Sequence, residues 1–204
     1  GRVLDGWGLL LNLVNSTMEG EIHWMDGDVW IQNSTLHNVQ HSYYVYANIK
    51  MVCNDRPLNL KIKNSILITQ DKDNPGVTRG DNCSFTSYGT AYINKVSLGG
   101  NVFSDDTCPF DDSRDIRVDS PLDALVGPLQ NNGGRTPTRA LLRGSPAIDI
   151  RNGPCYYLKY REEYPDDPSS TMLLEDQRGA DRNLKCDSGA FEYWSQIFLP
   201  IIAK

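Results

Sequence analysis

Acidic side chains are the first candidates for chemistry in this sequence. Asp71 and Asp73 lie in the segment D-K-D-N-P-G, where their carboxylates could ligate a calcium ion. In an EF-hand loop, however, the places of Pro75 and Asn82 hold an oxygen ligand and a bidentate glutamate. We therefore interpret the segment as a solvated turn and predict no metal site. A calcium site at Asp71 and Asp73 is the weaker alternative.

A second acidic run lies further along the chain and is accompanied by two arginines. Its members are Asp105, Asp106, Asp111, Asp112 and Asp115, with Arg114 and Arg117 nearby. Glycosidases need two carboxylates about 5 to 10 Å apart, so such a run is a candidate for catalysis. A solvated loop explains the same composition without any further function. We predict no catalytic residue and no cofactor, and keep a polysaccharide lyase or hydrolase as the alternative.

Histidines and aromatic residues are the other candidates. His23, His37 and His41 show no metal-binding spacing, because residues four apart lie together on a helix and this part of the chain has the pattern of strands. The aromatic residues could form a surface that stacks on sugars. They are Trp7, Trp24, Trp30, Tyr43, Tyr44 and Tyr46. We favour packing or an interface for them and keep glycan binding as an alternative.

The overall composition is typical of a polar-surfaced β protein of one domain. The 204 residues are 39% hydrophobic and include 17 Gly and 10 Tyr. A net charge of -6 argues against a nucleic-acid partner, because phosphate binding requires a basic surface. No apolar run reaches the roughly 20 residues that span a bilayer, so we predict no transmembrane segment. The chain begins at Gly1 without Met or a signal peptide, which we interpret as a processed or truncated start.

Five cysteines constrain the compartment in which the protein works. They are Cys53, Cys83, Cys108, Cys155 and Cys186. No C-x-x-C spacing occurs, which disfavours a zinc site and favours disulfides. Disulfides persist in oxidising surroundings, so we predict an exported protein of the extracellular space or cell surface. The odd count leaves one thiol, and we expect it to be Cys53, which lies in a repeat without an obvious partner.

Three similar stretches recur in the N-terminal half and predict β-strands. L-N-L-V-N-S-T, V-W-I-Q-N-S-T and L-K-I-K-N-S-I begin at Leu11, Val29 and Leu60, and a weaker fourth copy begins at Ala91. Each of the first three alternates apolar and polar residues before an Asn-Ser turn, as a half-buried strand does. Irregular spacing between the copies suits a solenoid whose loops vary in length.

Stacked repeats would place their apolar side chains in one interior column. The predicted column is Leu11, Leu13, Val29, Ile31, Leu58, Leu60 and Ile62. At the equivalent turns, Asn15, Asn33 and Asn64 are expected to form a ladder of hydrogen bonds. Periodicity alone suits a β-sandwich nearly as well, so it does not decide the architecture.

The C-terminal third resembles a known protein family. Residues 125–150 contain G-P-L-Q-N-N-G-G-R-T-P-T-R-A-L-L-R-G-S-P-A-I-D, and residues 176–193 contain D-Q-R-G and then C-D-S-G-A-F-E. These blocks are similar to the conserved end of bacterial extracellular proteins described as choice-of-anchor Q or parallel β-helix repeat proteins. The resemblance implies an all-β fold, namely a right-handed parallel β-helix with an irregular C-terminal cap. Many members have no known activity, so the resemblance implies much less about function.

The resemblance also implies roles for single residues. It implies two disulfides, Cys83–Cys108 and Cys155–Cys186. At the end of the solenoid we expect a network of charges in which Arg178 holds two carboxylates. The expected members of this network are Asp149, Asp176, Arg178, Asp187 and Glu192.

The repeats and the family resemblance together divide the chain into three parts. Residues 1–118 are predicted to form the rungs of the β-helix, residues 119–193 the cap, and residues 194–204 an apolar tail. The apolar members of the tail are Trp194, Ile197, Phe198, Leu199, Ile201 and Ile202. In the resembling family this position usually carries an attachment or sorting segment. We therefore expect the tail to serve anchoring or contact with another subunit.

These observations predict a noncatalytic structural protein of the cell surface or extracellular space. We expect it to be a subunit of a filament, surface layer or larger assembly. The contacts would run through the solenoid ends and the tail, by self-association or with other surface subunits. The alternative is a carbohydrate-active β-helix, either similar to polysaccharide lyases and hydrolases or a glycan-binding adhesin.

Overall fold

A computed structural model describes residues 2–40, 46–108, 110–159 and 169–194. Within these residues the chain forms strands and one short 3-10 helix, which confirms the prediction of an all-β fold. The N-terminal part passes repeatedly through the same three sheets, and we call one passage a circuit. The first circuit consists of β1 (Arg2–Trp7), β2 (Leu10–Val14) and β3 (Thr17–Glu19).

Three further circuits follow in the described residues. The second consists of β4 (Glu21–Met25), β5 (Asp28–Gln32) and β6 (Thr35–Gln40). The third consists of β7 (Ile49–Cys53), β8 (Leu58–Lys63) and β9 (Ile66–Asp71). The fourth consists of β10 (Cys83–Ser87), β11 (Ile93–Ser97) and β12 (Val102–Phe103), after which β13 (Ile116–Arg117) adds one more strand.

Strands one circuit apart pair in parallel and build three sheets. Sheet 1 has the order β1-β4-β7-β10, sheet 2 the order β2-β5-β8-β11, and sheet 3 the order β3-β6-β9-β12-β13. Every pairing between neighbours in these sheets is parallel. Each circuit therefore lengthens all three sheets by one strand, and equivalent residues of successive circuits come to lie side by side.

The predicted interior column is confirmed in sheet 2. Val29 pairs with Leu11 on one side and Leu60 on the other, and Ile31 pairs in the same way with Leu13 and Ile62. The central members are fully buried, and Leu11 and Leu13 pack against them at the edge. Alternation along each strand places the intervening polar residues on the opposite face.

The Asn-Ser corners follow β2, β5 and β8. Asn15, Asn33 and Asn64 have φ angles of 54°, 47° and 44°, in the left-handed region that Asn tolerates better than most residues. The expected Asn ladder forms only between two of them, where Asn64 Nδ2 donates to Asn33 Oδ1 at 3.3 Å. Asn15 Nδ2 instead donates to the carbonyl of Glu175 at 3.1 Å. The corners thus also bind the C-terminal part of the chain.

The serines of these corners form the more regular ladder. Ser16, Ser34 and Ser65 each donate a hydroxyl hydrogen to the carbonyl two residues earlier, at 2.8 Å. Hydrogen bonds also join neighbouring circuits: Ser16 N donates to Ser34 Oγ at 3.2 Å, and Ser34 N donates to Ser65 Oγ at 3.3 Å. In the fourth circuit Asn101 Oδ1 takes over and accepts from Ser65 N at 3.0 Å. Backbone groups that the corner leaves without a sheet partner are satisfied in this way.

Sheet 3 is covered on both faces. Leu36 and Leu67 point into the interior shared by the three sheets, whereas Ile66 and Ile68 belong to a second hydrophobic cluster. The buried members of the second cluster are Ile66, Ile68, Val102, Val118, Ala124, Leu141, Ala147 and Phe191. Most of these come from beyond residue 117, so the C-terminal region supplies the second layer over sheet 3.

The C-terminal region has little regular structure. The 3-10 helix η1 (Pro121–Ala124) begins at Ser120, which closes a capping box with Asp123. Two short antiparallel pairs follow. They are β14 (Val126–Gln130) with β15 (Thr138–Leu141), and β16 (Tyr156–Lys159) with β17 (Ser169–Met172).

Candidate functional site

The C-terminal region lies along the flank of the circuits and contacts each of them. A cap at the end of the solenoid was expected, and the contacts of this region also run back from the fourth circuit to the first. The bonds are Ser188 Oγ to Gly100 O, Gly189 N to Asn64 O at 2.8 Å, Ala190 N to Thr35 Oγ1 at 3.2 Å, and Asn15 Nδ2 to Glu175 O. The C-terminal region therefore ties successive circuits together.

A buried ion pair lies at the centre of this flank. Arg182 Nη1 is 3.1 Å from Glu192 Oε2, and the two side chains are 1% and 0% exposed. The second amino group of Arg182 donates to Asn15 Oδ1 and to the carbonyl of Gly189, both at 2.9 Å. Glu192 Oε1 accepts from the backbone N–H of Asn183 at 3.1 Å. Arg182 thus connects the first Asn corner to the end of the C-terminal region.

Asp176 organises the neighbouring turn. One of its oxygens accepts from the N–H groups of Arg178 and Ala180 at 2.8 and 3.2 Å. The other accepts from the Arg178 guanidinium at 2.8 and 2.6 Å and from Glu192 N at 3.0 Å. The guanidinium also lies 3.6 Å over the ring of Phe191. This geometry is a charge-assisted network in which one carboxylate fixes two segments.

The structure brings Asp176, Arg178, Asp187 and Glu192 together, whereas the Asp149 carboxylate lies 3.9 Å from Lys185 Nζ and Asp149 contributes its backbone N–H instead. Asp187 joins the network by accepting from the backbone N–H of Asp149 at 2.7 Å and of Tyr193 at 2.6 Å. Arg178 was expected to hold two carboxylates, but among the described residues its guanidinium binds one carboxylate, that of Asp176, together with the carbonyl of Glu192. Arg178 is already committed to the ring of Phe191 and to Asp176, so the Glu192 carboxylate pairs with Arg182. Nothing in the local sequence distinguishes Arg182 from the other basic residues of this polar block.

Burial shifts the protonation of two of these carboxyl groups. It raises the pKa of Glu192 to about 7, with Asp187 raising it further and Arg182 opposing the shift. Burial also raises the pKa of Asp187 to about 6, against the two N–H groups that it accepts. Desolvation disfavours the charged form more than these partners favour it.

The raised pKa of Glu192 predicts a stability that depends on pH. Between pH 5 and 7 the folded state holds a proton on Glu192 that the unfolded chain has released, so this contribution is lost as pH rises through 7. The wild type should lose about 1 kcal/mol of unfolding free energy relative to Glu192→Gln between about pH 6 and 8. Urea denaturation of both proteins at the two pH values measures the difference. His37, whose pKa burial lowers to about 3, titrates equally in both unfolded chains and cancels. A constant difference would contradict the prediction.

Both disulfides implied by the family resemblance are present. Cys83 is bonded to Cys108 and Cys155 to Cys186, and Cys53 is a free, buried thiol. Cys83 begins β10 in the fourth circuit, while Cys155 and Cys186 both lie in the C-terminal region. The bonds therefore fasten the last circuit and the flank.

The cysteine arrangement predicts a thiol count and a stability loss. In the native protein no cysteine should react with a thiol reagent, because the free thiol of Cys53 is buried. In the unfolded protein with its disulfides intact, one cysteine should react, namely Cys53. Replacing Cys155 and Cys186 by Ala should lower the unfolding free energy by about 3 to 4 kcal/mol, since the bond closes a loop in the unfolded chain. Denaturant titrations measure the loss. Three reactive thiols in the unreduced unfolded protein would contradict the pairing.

The acidic loops are occupied by local hydrogen bonds. Asp71 accepts from the N–H groups of Asp73 and Asn74 at 2.8 and 2.9 Å and pairs with Arg79, while Asp73 is exposed. The structure therefore does not join the two calcium candidates in one set of ligands. Within the described ranges no group of three or more His, Cys, Asp or Glu residues is arranged to hold a metal ion.

The second acidic run is similarly divided. Asp105 accepts from Asn82 N at 2.8 Å and from Thr107 N at 2.9 Å. Asp112 forms a bidentate pair with Arg114, at 2.7 and 2.6 Å. Hydrogen bonding to Arg114 lowers the pKa of Asp112 to about 2, so this carboxylate stays ionised. These contacts hold the loops around the fourth circuit in place.

The aromatic residues do not share one surface. Trp30 is buried under the ammonium of Lys61, and Trp24 packs against the core. Trp7 is 80% exposed and, with Leu9, Asp26, Asp55 and Arg56, lines a cleft of about 390 Å³. Tyr43, Tyr44 and His41 lie outside the described residues.

The predicted apolar tail is described only at its first residue. Trp194 is 52% exposed, and its ring N–H donates to the carbonyl of Asp181 at 3.1 Å. The other predicted tail residues lie outside the described part of the chain. They are Ile197, Phe198, Leu199, Ile201 and Ile202.

Two further observations bear on identity and location. The described residues contain no helix with the length and hydropathy of a membrane span. Comparisons of the chain with protein-family models, with curated proteins and with solved structures found no match. The similarity to choice-of-anchor Q proteins accordingly stays a prediction from the two C-terminal sequence blocks.

Proposed function

We propose that the chain is an exported β-helical protein of the choice-of-anchor Q type and works as a noncatalytic structural subunit outside the cytosol. The observation that carries this proposal is the cyclic passage of the chain through three parallel sheets. Equivalent residues stack from circuit to circuit, and this stacking supports the proposed right-handed parallel β-helix. Such a stack provides stiffness and a long surface, and it needs no active site to do so.

The use of charge supports a structural role. Buried carboxylates accept backbone N–H groups, as Asp176 and Asp187 do, or pair with a buried cation, as Glu192 does with Arg182. Groups that are fixed in this way hold segments together and are poorly placed to exchange protons with a substrate. The two disulfides add covalent ties and are compatible with an oxidising compartment.

The two ends of the circuits differ in what they offer a partner. At the first circuit, Trp7 and Leu9 are 80% and 76% exposed. At the fourth circuit, Lys95 pairs with the interior residue Leu60 and places its ammonium 4.1 Å from the centre of the Phe85 ring. A charge in an interior column opposes the pairing of further strands. The proposed subunit contact therefore uses the surface around Trp7 and Leu9, together with the apolar tail.

A matched pair of leucine variants tests this function. Leu9→Lys places a charge on the proposed contact, and Leu184→Lys places one at a site that is 83% exposed and lies in the C-terminal region. Electron microscopy and light scattering should show regular assemblies for the wild type and Leu184→Lys, and dispersed particles for Leu9→Lys. A wild type that stays monomeric at every concentration would overturn the proposal. Equal assembly of Leu9→Lys would overturn this choice of surface.

The cleft beside Trp7 favours a second candidate, which is glycan binding. An exposed indole with Asp55 and Arg56 beside it can stack on a sugar ring and bind its hydroxyl groups. The Asp26 carboxylate is less suited to catalysis, because its two oxygens accept from Asn54 N and Nδ2 at 2.8 Å. Binding of soluble polysaccharides that is lost in Trp7→Ala would support this candidate. Release of unsaturated or reducing sugars would instead indicate a lyase or hydrolase.

A further inference from the structure

Lys63 is a buried cation that has no counter-ion among the described residues. It ends β8 and, by alternation with Ile62, points away from the interior of the three sheets. It is nevertheless only 8% exposed, because the C-terminal region covers this face. Its ammonium forms no hydrogen bond or ion pair with any residue that the structure describes. Burial of an ammonium in this state is costly unless an acceptor is supplied.

A second cation, Arg151, lies near Lys63 and likewise has no counter-ion in the part of the chain that the structure describes. The Gly99 carbonyl accepts from the N–H of Asn64, the residue after Lys63, which places the Gly99-Gly100 turn next to Lys63. The Cγ and Cδ atoms of Arg151 pass across this turn, 3.4 Å from where a Cβ on Gly100 would lie. The Arg151 guanidinium has no hydrogen bond or ion pair within the described ranges.

The other charges nearby are already committed. Arg114 reaches the same turn, since its Nη2 lies 2.5 Å from the position of a Cβ on Gly99, but it is paired with Asp112. Burial, then Arg151, then Arg114 lower the pKa of Lys63 to about 8. Burial and Arg114 lower the pKa of Arg151, which Asp112 and Tyr156 partly offset. No carboxylate in the described part of the chain therefore pairs directly with Lys63 or Arg151.

We propose that Lys63 and Arg151 bind a small oxyanion of the size of phosphate or sulfate, between β8 and the C-terminal region. The ammonium offers three N–H donors and the guanidinium five, in a planar fork that suits two oxygens of a tetrahedral anion. Both side chains carry positive charge at neutral pH. The anion would link the third circuit to the flank, at a position where the described residues supply no carboxylate.

Phosphate titrations of the full chain test the site. Inorganic phosphate is added at constant ionic strength, and the melting temperature and the heat of binding are recorded. The wild type should show a saturable rise in melting temperature, and Lys63→Met and Arg151→Met should weaken binding at least tenfold. Lys61→Met is the control, because Lys61 lies two residues earlier on the same strand and contacts Trp30 instead. It should bind phosphate as the wild type does.

A second measurement keeps the outcome interpretable if a variant alters stability. Without phosphate, Lys63→Met should melt at a higher temperature than the wild type. Methionine has a side chain of similar length and removes the unpaired buried charge. Saturating phosphate should narrow or reverse this order. A rise in melting temperature that does not saturate and is equal in Lys63→Met would be a general salt effect, and would overturn the site. Dextran sulfate is then added as a competitor for phosphate. Competition that is lost in Lys63→Met would support a natural ligand whose anion is carried on a polymer. Phosphate binding that dextran sulfate does not compete with would support a free ion.

Discussion

Gly27→Ala is expected to destabilise the protein by about 3 kcal/mol or more, at the upper end of the usual cost of overpacking. A Cβ on Gly27 would lie 1.7 Å from the backbone oxygen of Gly8 and 2.5 Å from the indole nitrogen of Trp24. Neither atom is the end of a flexible side chain. The connection between the first two strands must therefore shift, together with the bond from Asp28 N to Leu9 O at 3.0 Å.

Two other glycines separate this clash from ordinary effects of alanine. Gly76→Ala is the matched control, because its Cβ would meet Leu122 at 3.7 Å, which is a normal contact, and the residue has no left-handed φ. Gly89→Ala has open space but a φ of +60°, so it reports backbone strain alone, about 1 kcal/mol. Urea unfolding of the three variants should show a much larger loss of unfolding free energy for Gly27→Ala than for the other two. Equal losses for Gly27 and Gly89 would show that the close approach to Gly8 is relieved easily.

Arg182→Met is expected to cost about 3 to 5 kcal/mol at pH 8, because it leaves the Glu192 carboxylate buried and unpaired. The same substitution removes the donors of Asn15 Oδ1 and of the Gly189 carbonyl. At pH 5 the loss should be smaller, since Glu192, whose pKa burial raises to about 7, is then protonated. Denaturant titrations at the two pH values measure both losses.

The double variant Arg182→Met/Glu192→Gln distinguishes the lost charge pair from lost packing. It removes both charges, so it should recover part of the stability, and its difference in stability from Glu192→Gln, which shares the titrating Asp187 and His37, should change little between the two pH values. Arg135→Met, at an exposed position of the same region, is the control and should change stability by less than about 0.5 kcal/mol. A double variant as unstable at pH 8 as Arg182→Met would indicate that the hydrogen bonds to Asn15 and Gly189 dominate.

The sequence repeats predicted one of the three sheets well. The copies that begin at Leu11, Val29, Leu60 and Ala91 correspond to β2, β5, β8 and β11, which are the strands of sheet 2. Their period of two is clear because one face is interior and the other polar. The separations between equivalent serines, 18 and 31 residues, are one circuit each, and the longer circuit has more residues between β6 and β7 and between β7 and β8.

Sheet 3 could not be recognised from the same periodicity. In β6 and β9 buried residues follow one another without alternation, because one face meets the interior and the other meets the C-terminal region. A strand buried on both faces has no period of two. The covering layer consists of loops and short pairs whose positions depend on bonds between distant residues, and local sequence carries no signal for such bonds.

The charged flank was predictable in membership but not in pairing. The sequence blocks point to Asp176, Arg178, Asp187 and Glu192, and these residues do lie together. The partner of Glu192 is Arg182. This pairing depends on the position of the Asn15 corner and on burial, and both are features of the tertiary structure. Lys63 was hidden for a similar reason, since its place on a polar strand face indicates exposure and only the overlying region buries it.

The return of the C-terminal region to the first circuit implies an order of folding. The circuits pair residues a few tens apart in sequence, whereas the bond between Asn15 and Glu175 joins residues 160 apart, and that between Arg182 and Asn15 spans 167. Contacts of such separation form slowly, because a long loop must close before they are gained. The circuits can therefore assemble one after another as the chain emerges, and the flank docks last. Until it does, Ile66 and Ile68 face solvent, so the chain is most prone to aggregation after the circuits have formed and before the C-terminal region has docked.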